Sequence, residues 1–366
     1  MAKRAPTQHI GLGLGRVRHW HDGLGEFSRQ LVLALAEQAP RLAEERGWRL
    51  HVHLPRRWHG LFGDAIGYLD THTTQRWLHL RGTRFALWHT VHQHNRLRAP
   101  WGTRRQVETV HDLNFLHAKS PAKIARYRAI LRQRLAQRDA VVAITHHVAE
   151  DIRRELSPLA APLQVIHNGA TDLSGVAQQP VDGLQPGGFL LHISRMAPNK
   201  NIQALLDLAA AWPEQPLVLA GADSPYVAQV REQIAARGLS QVQIRLDVSE
   251  AQKAWLYAHC RGFLFPSLAE GFGLPPIEAM HFGKSVFLSR RTCLPEVGGE
   301  VAHYFGPAAG AAQEFDGPAM RRSIEAGLAA DAAPGRAAAI AAHARTFSWR
   351  ACAAAHIALY DRLVSP

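Results

Sequence analysis

The stretch Glu270-Gly-Phe-Gly-Leu-Pro-Pro-Ile-Glu278-Ala-Met280 sets two carboxylates eight residues apart around a glycine-bracketed turn. Gly271 and Gly273 permit backbone dihedrals that other residues avoid and let the chain pass close to a ligand. Pro275 or Pro276 suits the first turn of a helix, where a missing N–H costs nothing. The pattern predicts a turn that runs into a helix whose free amides face an anion. Glu278, about one turn in, is placed to accept from a vicinal diol such as a ribose. Glu270, before the turn, is placed to accept from other hydroxyls in the same cleft. Two carboxylates reading hydroxyls beside a phosphate-binding helix end describe a sugar-nucleotide site.

A second constellation lies upstream. Arg195 follows the apolar run Phe189–Ile193, and Lys200 stands five residues on, at the start of a helix. Arginine grips two oxygens at once and lysine acts as a mobile point charge, so the pair reads as a phosphate clamp. Its charge would stabilise a nucleoside diphosphate as it leaves.

Around these residues the chain resembles the retaining glycosyltransferases of family four, which have the GT-B fold. Glu270 to Glu278 matches that family's E-x7-E signature. Leu264-Phe-Pro-Ser267 is similar to its hydrophobic-Pro-Ser strand end, and Leu294-Pro-Glu-Val-Gly-Gly299 to its LPEV-G turn. His192-Ile-Ser-Arg195 through Lys200-Asn-Ile202 resembles its phosphate loop, and Val165-Ile-His-Asn-Gly169 its interdomain hinge. Val110-His-Asp-Leu113 resembles its HDL strand end, and Gly23-Leu-Gly25 its first Gly-rich loop. These landmarks stand in the family's order over nearly the whole chain. Ser194 departs from the pattern, because glycine is usual there, and this leaves close backbone approach at that point open.

The resemblance implies an α/β chain of the GT-B type, two Rossmann-like domains facing across a deep cleft. Residues 1–174 would bind the acceptor, 175–345 the nucleotide-sugar, and 346–366 would form a helix packing back on the first domain. It also implies that His111 faces the donor sugar and that Gly23 and Gly25 approach the diphosphate. His111, Arg195, Lys200 and Glu270 are then the catalytic candidates. Gly23, Gly25, Phe272, Gly273, Leu274 and Glu278 are the donor-binding ones. The reaction implied is retaining hexosyl transfer by a front-face route. The EGFGLP and LPEV-G segments resemble bacterial mannosyl- and deoxyhexosyl-transferases of surface polysaccharide and lipopolysaccharide assembly. GDP-mannose is therefore the first donor expected, ahead of a UDP- or dTDP-hexose, with a saccharide or lipid-linked acceptor.

Composition agrees with two domains: 366 residues exceed one ordinary core. Three scattered cysteines, at 260, 293 and 352, argue for a reducing, cytoplasmic setting. The N-terminal MAKRAPTQHIGLGLG lacks a sustained apolar core, so no signal peptide is read, and no run reaches the ~20 apolar residues that span a bilayer. The chain holds no D-x-D triplet to ligate a metal, so no metal or other cofactor is expected. Among 22 histidines, His89, His92 and His94 form a cluster that reads as a solvated loop. Asp112 reads as an orienter of His111 or a cap, with the structural role preferred.

The basic excess is one-sided. Residues 1–180 hold 26 Lys/Arg and 14 Asp/Glu, whereas residues 181–366 hold 16 of each. Helix 119–138 carries seven basic residues and no acid before Asp139. An anionic membrane, met peripherally at its inner face, and solvated arginine fit equally well. The other classes weighed are a basic nucleic-acid-binding protein and an inactive glycan-binding protein. Only Tyr127 interleaves with the basic residues of the helix, which speaks against nucleic acid. The intact set Arg195, Lys200, Glu270 and Glu278 speaks against decay.

Strands are expected at Leu50–Leu54, Ala86–His89, Gln106–Val110, Ala140–Ile144 and Leu163–Ile166, with helices at 26–40 and 122–138. A second series is expected at Phe189–Ile193, Leu217–Ala220, Val242–Ile244, Gly262–Phe265 and Ser285–Leu288. Its helices fall near 202–211, 225–237, 250–258, 276–282 and 318–330. Such βα alternation favours parallel doubly wound sheets. The polar segment Asp172–Gly188 reads as the linker between domains, and the Ala-rich tract 323–344 as helical. Ser348 is the expected cap of the last helix.

Overall fold

Short apolar strands that alternate with helices bury both faces only in a parallel sheet covered on each side. The computed structural model describes residues 7–18, 20, 23–306 and 315–365, apart from the side chains of 117 and 118. It contains two such sheets. Residues 1–6, part of the stretch read for a signal peptide, lie outside the described residues.

The first sheet holds β1 (Gln8–Gly13), β2 (Trp48–Leu54), β3 (Gly67–Asp70), β4 (Phe85–Thr90), β5 (Arg105–Val110), β6 (Ala140–Ala143) and β7 (Leu163–Val165). The order is β3-β2-β1-β4-β5-β6-β7, every pair parallel. The second holds β8 (Leu190–Ile193), β9 (Leu217–Gly221), β10 (Val242–Leu246), β11 (Gly262–Phe265), β12 (Val286–Leu288) and β13 (His303–Tyr304). Its order, β10-β9-β8-β11-β12-β13, repeats the doubly wound pattern. In each sheet the strand order reverses once, between β1 and β4 and between β8 and β11. Ligands of such sheets bind at the strand C-termini beside that reversal.

The chain divides into one unit of residues 1–169 and 348–366 and another of 170–347. The expected boundary after residue 174 is thus replaced by one at Gly169. Segment 172–188 belongs to the second unit, where Leu173, Val181 and Leu184 are buried. The helix Trp349–Val364 begins with Ser348 Oγ accepting from Ala351 N (3.1 Å). Its Cys352, Ala353, Leu359 and Tyr360 join the core of the first unit. Among the described residues no helix is long and apolar enough to cross a membrane. Cys260, Cys293 and Cys352 are all free and buried.

Three strands went unread in the sequence: β1, β3 and β13. β1 is the instructive one, because its Gly11 and Gly13 weaken a strand pattern. The glycines make room for Trp88 of β4: a Cβ on Gly11 would lie 2.2 Å from the indole Cε3. The Ala-rich tract is not one helix. Gly317–Asp331 and Arg336–Ala344 are separated by Pro334 and by Gly335, whose φ is +83°.

The histidines read as a solvated loop are corrected in part. His94 is exposed, but His89 is fully buried on β4. Its Nδ1 bonds the Tyr360 hydroxyl (2.7 Å) and its Nε2 bonds Thr109 Oγ1 (2.8 Å). Burial holds several histidines of the first unit neutral: His53 and His111 are lowered to about 3, His356 to about 4, and His89 well below 6.5. The unfolded chain would bind these protons near pH 6.5. The stability tied to keeping them neutral is therefore fully present above that pH and is lost as pH falls toward 3–4, by about 1.4 kcal/mol per residue per pH unit. In the second unit only His192 is lowered as far, to about 4. The first unit should therefore lose amide-exchange protection before the second between pH 6.5 and 4.5. Exchange resolved by peptic fragment checks this, and equal or earlier opening of the second unit would contradict it.

Candidate active site

In the second unit the reversal between β8 and β11 gathers the basic loop and the glycine turn. After β8, Ser194 N donates to Ala220 O (3.0 Å), and the Ser194 hydroxyl donates to His192 Nε2 (2.7 Å). His192 Nδ1 in turn donates to Leu264 O (2.9 Å), which locks the end of β8 to β11. The space that glycine would provide at 194 is provided across the sheet instead. Gly221 has φ +151°, and a Cβ there would sit 1.9 Å from Ser194 O.

Lys200 closes the single turn Pro198–Lys200, and Asn201, at φ +54°, leads into the helix Ile202–Ala211. Asn199 latches this loop to the glycine turn. Its Nδ2 donates to Ala269 O (3.1 Å), and its carbonyl accepts from Leu268 N (2.8 Å). The latch brings Lys200 Nζ to 2.5 Å from Glu270 Oε1. The ammonium also lies 5.3 Å from the centre of the Phe265 ring. Lys200 and Glu270, distant in sequence, therefore form one partly buried ion pair. Arg195 differs from expectation: it is exposed and has no hydrogen bond or ion pair among the described residues. Convergence of Arg195 with Lys200 is not built into the fold, so a ligand would have to draw them together.

Beyond Glu270 the chain turns at Gly273, with φ +95°, and enters the helix Leu274–His281 with proline in its first turn. A Cβ on Gly273 would meet Leu294 Cδ2 at 2.8 Å, so the glycine is required both by its dihedral and by packing. Leu274, half-buried, opens the helix. Phe272 does not present its ring to a ligand. It is buried, and it packs edge-on against Phe347 at 5.7 Å.

Glu278 is 5 % exposed and already engaged. The Tyr257 hydroxyl donates to its Oε2 (2.7 Å), and Lys253 Nζ lies 2.6 Å from the same oxygen. Burial, then the Glu278 charge, raises the Tyr257 phenol well above 10 and keeps it a donor. Both contacts fall on Oε2 and fix the orientation of the carboxylate. Lys253 and Tyr257 escaped the sequence reading, although their i, i+4 spacing on helix 250–258 places them on one face. Tyr257→Phe should weaken nucleotide binding about 10- to 100-fold, the worth of one hydrogen bond to a charged group. Calorimetric titration of the variant checks this, and unchanged affinity would mean Lys253 alone suffices.

In the first unit His111 ends β5 and is buried. Its Nε2 donates to Val91 O (2.9 Å), its N–H donates to Gln93 Oε1 (3.0 Å), and its ring packs edge-on to Phe27 at 4.4 Å. Burial leaves it neutral, so it can serve as a polar contact and not as a cation. Asp112 Oδ1 accepts from Asn114 N (2.9 Å), the local capping role. Gly23 opens the helix Gly23–Arg46, with nothing within 4 Å of a built Cβ. Gly25 is buried and lines a cavity of about 350 Å³ beside the β1/β4 reversal. Arg16, Arg76 and Arg96 also line it, and none of them entered the sequence reading.

These features can be set beside known proteins. Residues 184–304 match the family Glycosyl transferases group 1. A solved sucrose-phosphate synthase from Thermosynechococcus elongatus superposes with a TM-score of 0.72 over 97 % of this chain and 99 % of that one, at 20 % identity. The fold is GT-B. The serotype-specific mannosyltransferase WbdA of Escherichia coli is 29 % identical over 228 residues, 57 % of this chain and 28 % of WbdA. A GDP-mannose:cellobiosyl-diphosphopolyprenol alpha-mannosyltransferase of Xanthomonas oryzae pv. oryzae is 27 % identical over 304 residues, covering 75 % of this chain and 77 % of that protein. The match to WbdA therefore spans less than a third of that relative's length. The GT-B chain described here resembles glycosyltransferases, and the matched segment contains Arg195, Lys200, Glu270 and Glu278.

Proposed function

We propose that the protein is a retaining glycosyltransferase that moves a hexose from a nucleotide-sugar to a saccharide or lipid-linked acceptor. The Lys200–Glu270 pair at the β8/β11 reversal carries this reading, because it sets a cation and a hydroxyl acceptor together beside a glycine-led helix start. Lys200, with Arg195 drawn in, takes the charge that develops on the diphosphate. Glu278 accepts from the ribose, and Glu270 from the sugar. The bond from sugar C1 to phosphate oxygen breaks, its electron pair leaving with the nucleoside diphosphate. The acceptor oxygen forms the new bond to C1 on the same face and passes its proton to the departing phosphate. Mannose from GDP-mannose is the donor proposed, on the names of the relatives. The setting proposed is surface polysaccharide or lipopolysaccharide synthesis in the cytoplasm, in peripheral contact with an anionic membrane.

A thermal-shift screen of GDP, UDP and dTDP and their sugars tests the reading through ligand linkage. Selective stabilisation by GDP and GDP-mannose is expected, and indifference to all nucleotides would exclude the transferase. Transfer should persist in EDTA, since side chains are proposed to neutralise the diphosphate. A strict requirement for added Mg²⁺ or Mn²⁺ would contradict that assignment.

A further inference from the structure

Part of the positive charge on helix Pro121–Leu135 and its flank is spoken for by acids. There Arg134 and Arg138 are paired with Glu108, and Arg128 with Glu155. Residues 71–107 hold seven arginines and no acid, and of the seven Arg105 pairs with Asp139 from outside the stretch. Arg76 and Arg96 from this stretch join Arg16 and Arg18 around the cavity at the β1/β4 reversal, with His92 and His94, and among the described residues no carboxylate lines it. None of these four guanidinium groups has an acidic partner among the described residues. Like charges gathered in one cavity repel, and an anion with several oxygens relieves them. Guanidinium forks match phosphate oxygens in particular.

A second observation says what the phosphate is attached to. Arg98 N donates to Gln75 O (2.9 Å) and Trp101 N to His79 O (2.8 Å), which joins the loop after Gln75 to the loop after Leu97. The same two loops that supply Arg76 and Arg96 thereby expose Trp101 (78 %), Trp77 (68 %), Leu80 (64 %) and Leu78 (55 %). These are the four most exposed large apolar side chains among the described residues. An apolar patch rimmed by charge marks an interaction surface. Tryptophan with arginine at its edge suits the boundary between lipid headgroups and acyl chains. Nucleic acid would want the aromatic rings inside the basic groove to stack bases, and here they stand outside it.

We propose that the cavity binds the diphosphate head of a lipid-linked acceptor and that the Trp77–Trp101 patch lies on the bilayer that carries the lipid. The word acceptor rests on the transferase reading above; the binding itself does not. The test uses the full chain carrying Arg195→Ala and Lys200→Ala, so that the second unit's own cations do not compete. Calorimetry measures farnesyl diphosphate and inorganic pyrophosphate, and sedimentation measures vesicles of phosphatidylglycerol with phosphatidylcholine. Farnesyl diphosphate should bind at least about tenfold more tightly than pyrophosphate, and Arg76→Glu with Arg96→Glu should weaken both by about tenfold or more. Trp77→Ser with Trp101→Ser should abolish the farnesyl advantage and vesicle binding while sparing pyrophosphate. Unchanged diphosphate binding in the arginine variant overturns the cavity's role, and unchanged vesicle binding in the tryptophan variant overturns the patch. Displacement of farnesyl diphosphate by soluble phosphatidylglycerol at equal affinity would make this a headgroup site and overturn the acceptor assignment. None of these outcomes alters nucleotide-sugar stabilisation, which judges the transferase reading separately.

Discussion

Lys200→Ala should lower kcat/KM for sugar transfer by about 10²- to 10³-fold, or about 3–4 kcal/mol of transition-state stabilisation. The ammonium is a cation that the fold itself holds at the β8/β11 reversal. Asn199 fixes its loop to the glycine turn, and Glu270 Oε1 fixes its Nζ at 2.5 Å. It therefore meets the departing diphosphate without reorganisation, which is what makes such a charge effective. The loss should fall on kcat more than on KM, since the charge on the phosphate grows in the transition state. Glu270→Gln keeps an acceptor oxygen but removes the countercharge. It should slow transfer while leaving affinity for the bare nucleoside diphosphate nearly intact. Arg195→Ala acts only through the ligand, so it should impair transfer without lowering Tm. Steady-state transfer kinetics beside thermal melts separate these cases. Near wild-type turnover of a folded Lys200→Ala variant would remove Lys200 from the mechanism.

Glu108→Ala should destabilise the first unit by about 3–5 kcal/mol, the usual cost of breaking a buried ion pair from one side. Glu108 is fully buried on β5, with Arg134 on Oε1 and Arg138 Nε at 2.9 Å from Oε2. Its removal strands two guanidinium groups that are themselves mostly buried. The effect also reaches the site. Arg134 donates to Gln93 O (2.8 Å), and the Gln93 side chain accepts from His111 N and donates to Asp112 O (3.1 Å). Loss of Glu108 should therefore loosen the loop that holds His111. Because the chain has two units, one global unfolding curve would mix them. Fragment-resolved amide exchange in urea is the suitable measurement, with protection lost across β5 and helix Pro121–Leu135 first. A change below about 1 kcal/mol would mean that the arginines find water in place of the carboxylate.

The same pairs show where sequence reading stops. The arginines of helix 119–138 read as an open basic face because their distribution around the helix is visible, whereas Glu108 of β5 is not their neighbour in sequence. Only the packing of that helix on the sheet makes the contact. Gly11 and Gly13 hid β1 for a related reason: their lack of side chains weakens the strand pattern, and its cause, the Trp88 indole, lies on another strand.

What the sequence determined by itself was local chemistry and its order. The alternation of apolar runs and helices set two parallel sheets. The Glu270–Glu278 stretch set a glycine turn into a helix, with Gly273 in the left-handed region and proline in the first turn. Dihedral preference and short spacing act within a few residues, so the chain carries them openly. Tertiary structure decided which charges are spent on one another. It gave Lys200 to Glu270, Lys253 and Tyr257 to Glu278, and Arg134 and Arg138 to Glu108, and left Arg16, Arg18, Arg76 and Arg96 without acidic partners among the described residues, around one cavity. Coulomb energy and burial depend on distance through space, and only the folded sheets bring residues seventy positions apart, as Lys200 and Glu270 are, to within hydrogen-bonding distance.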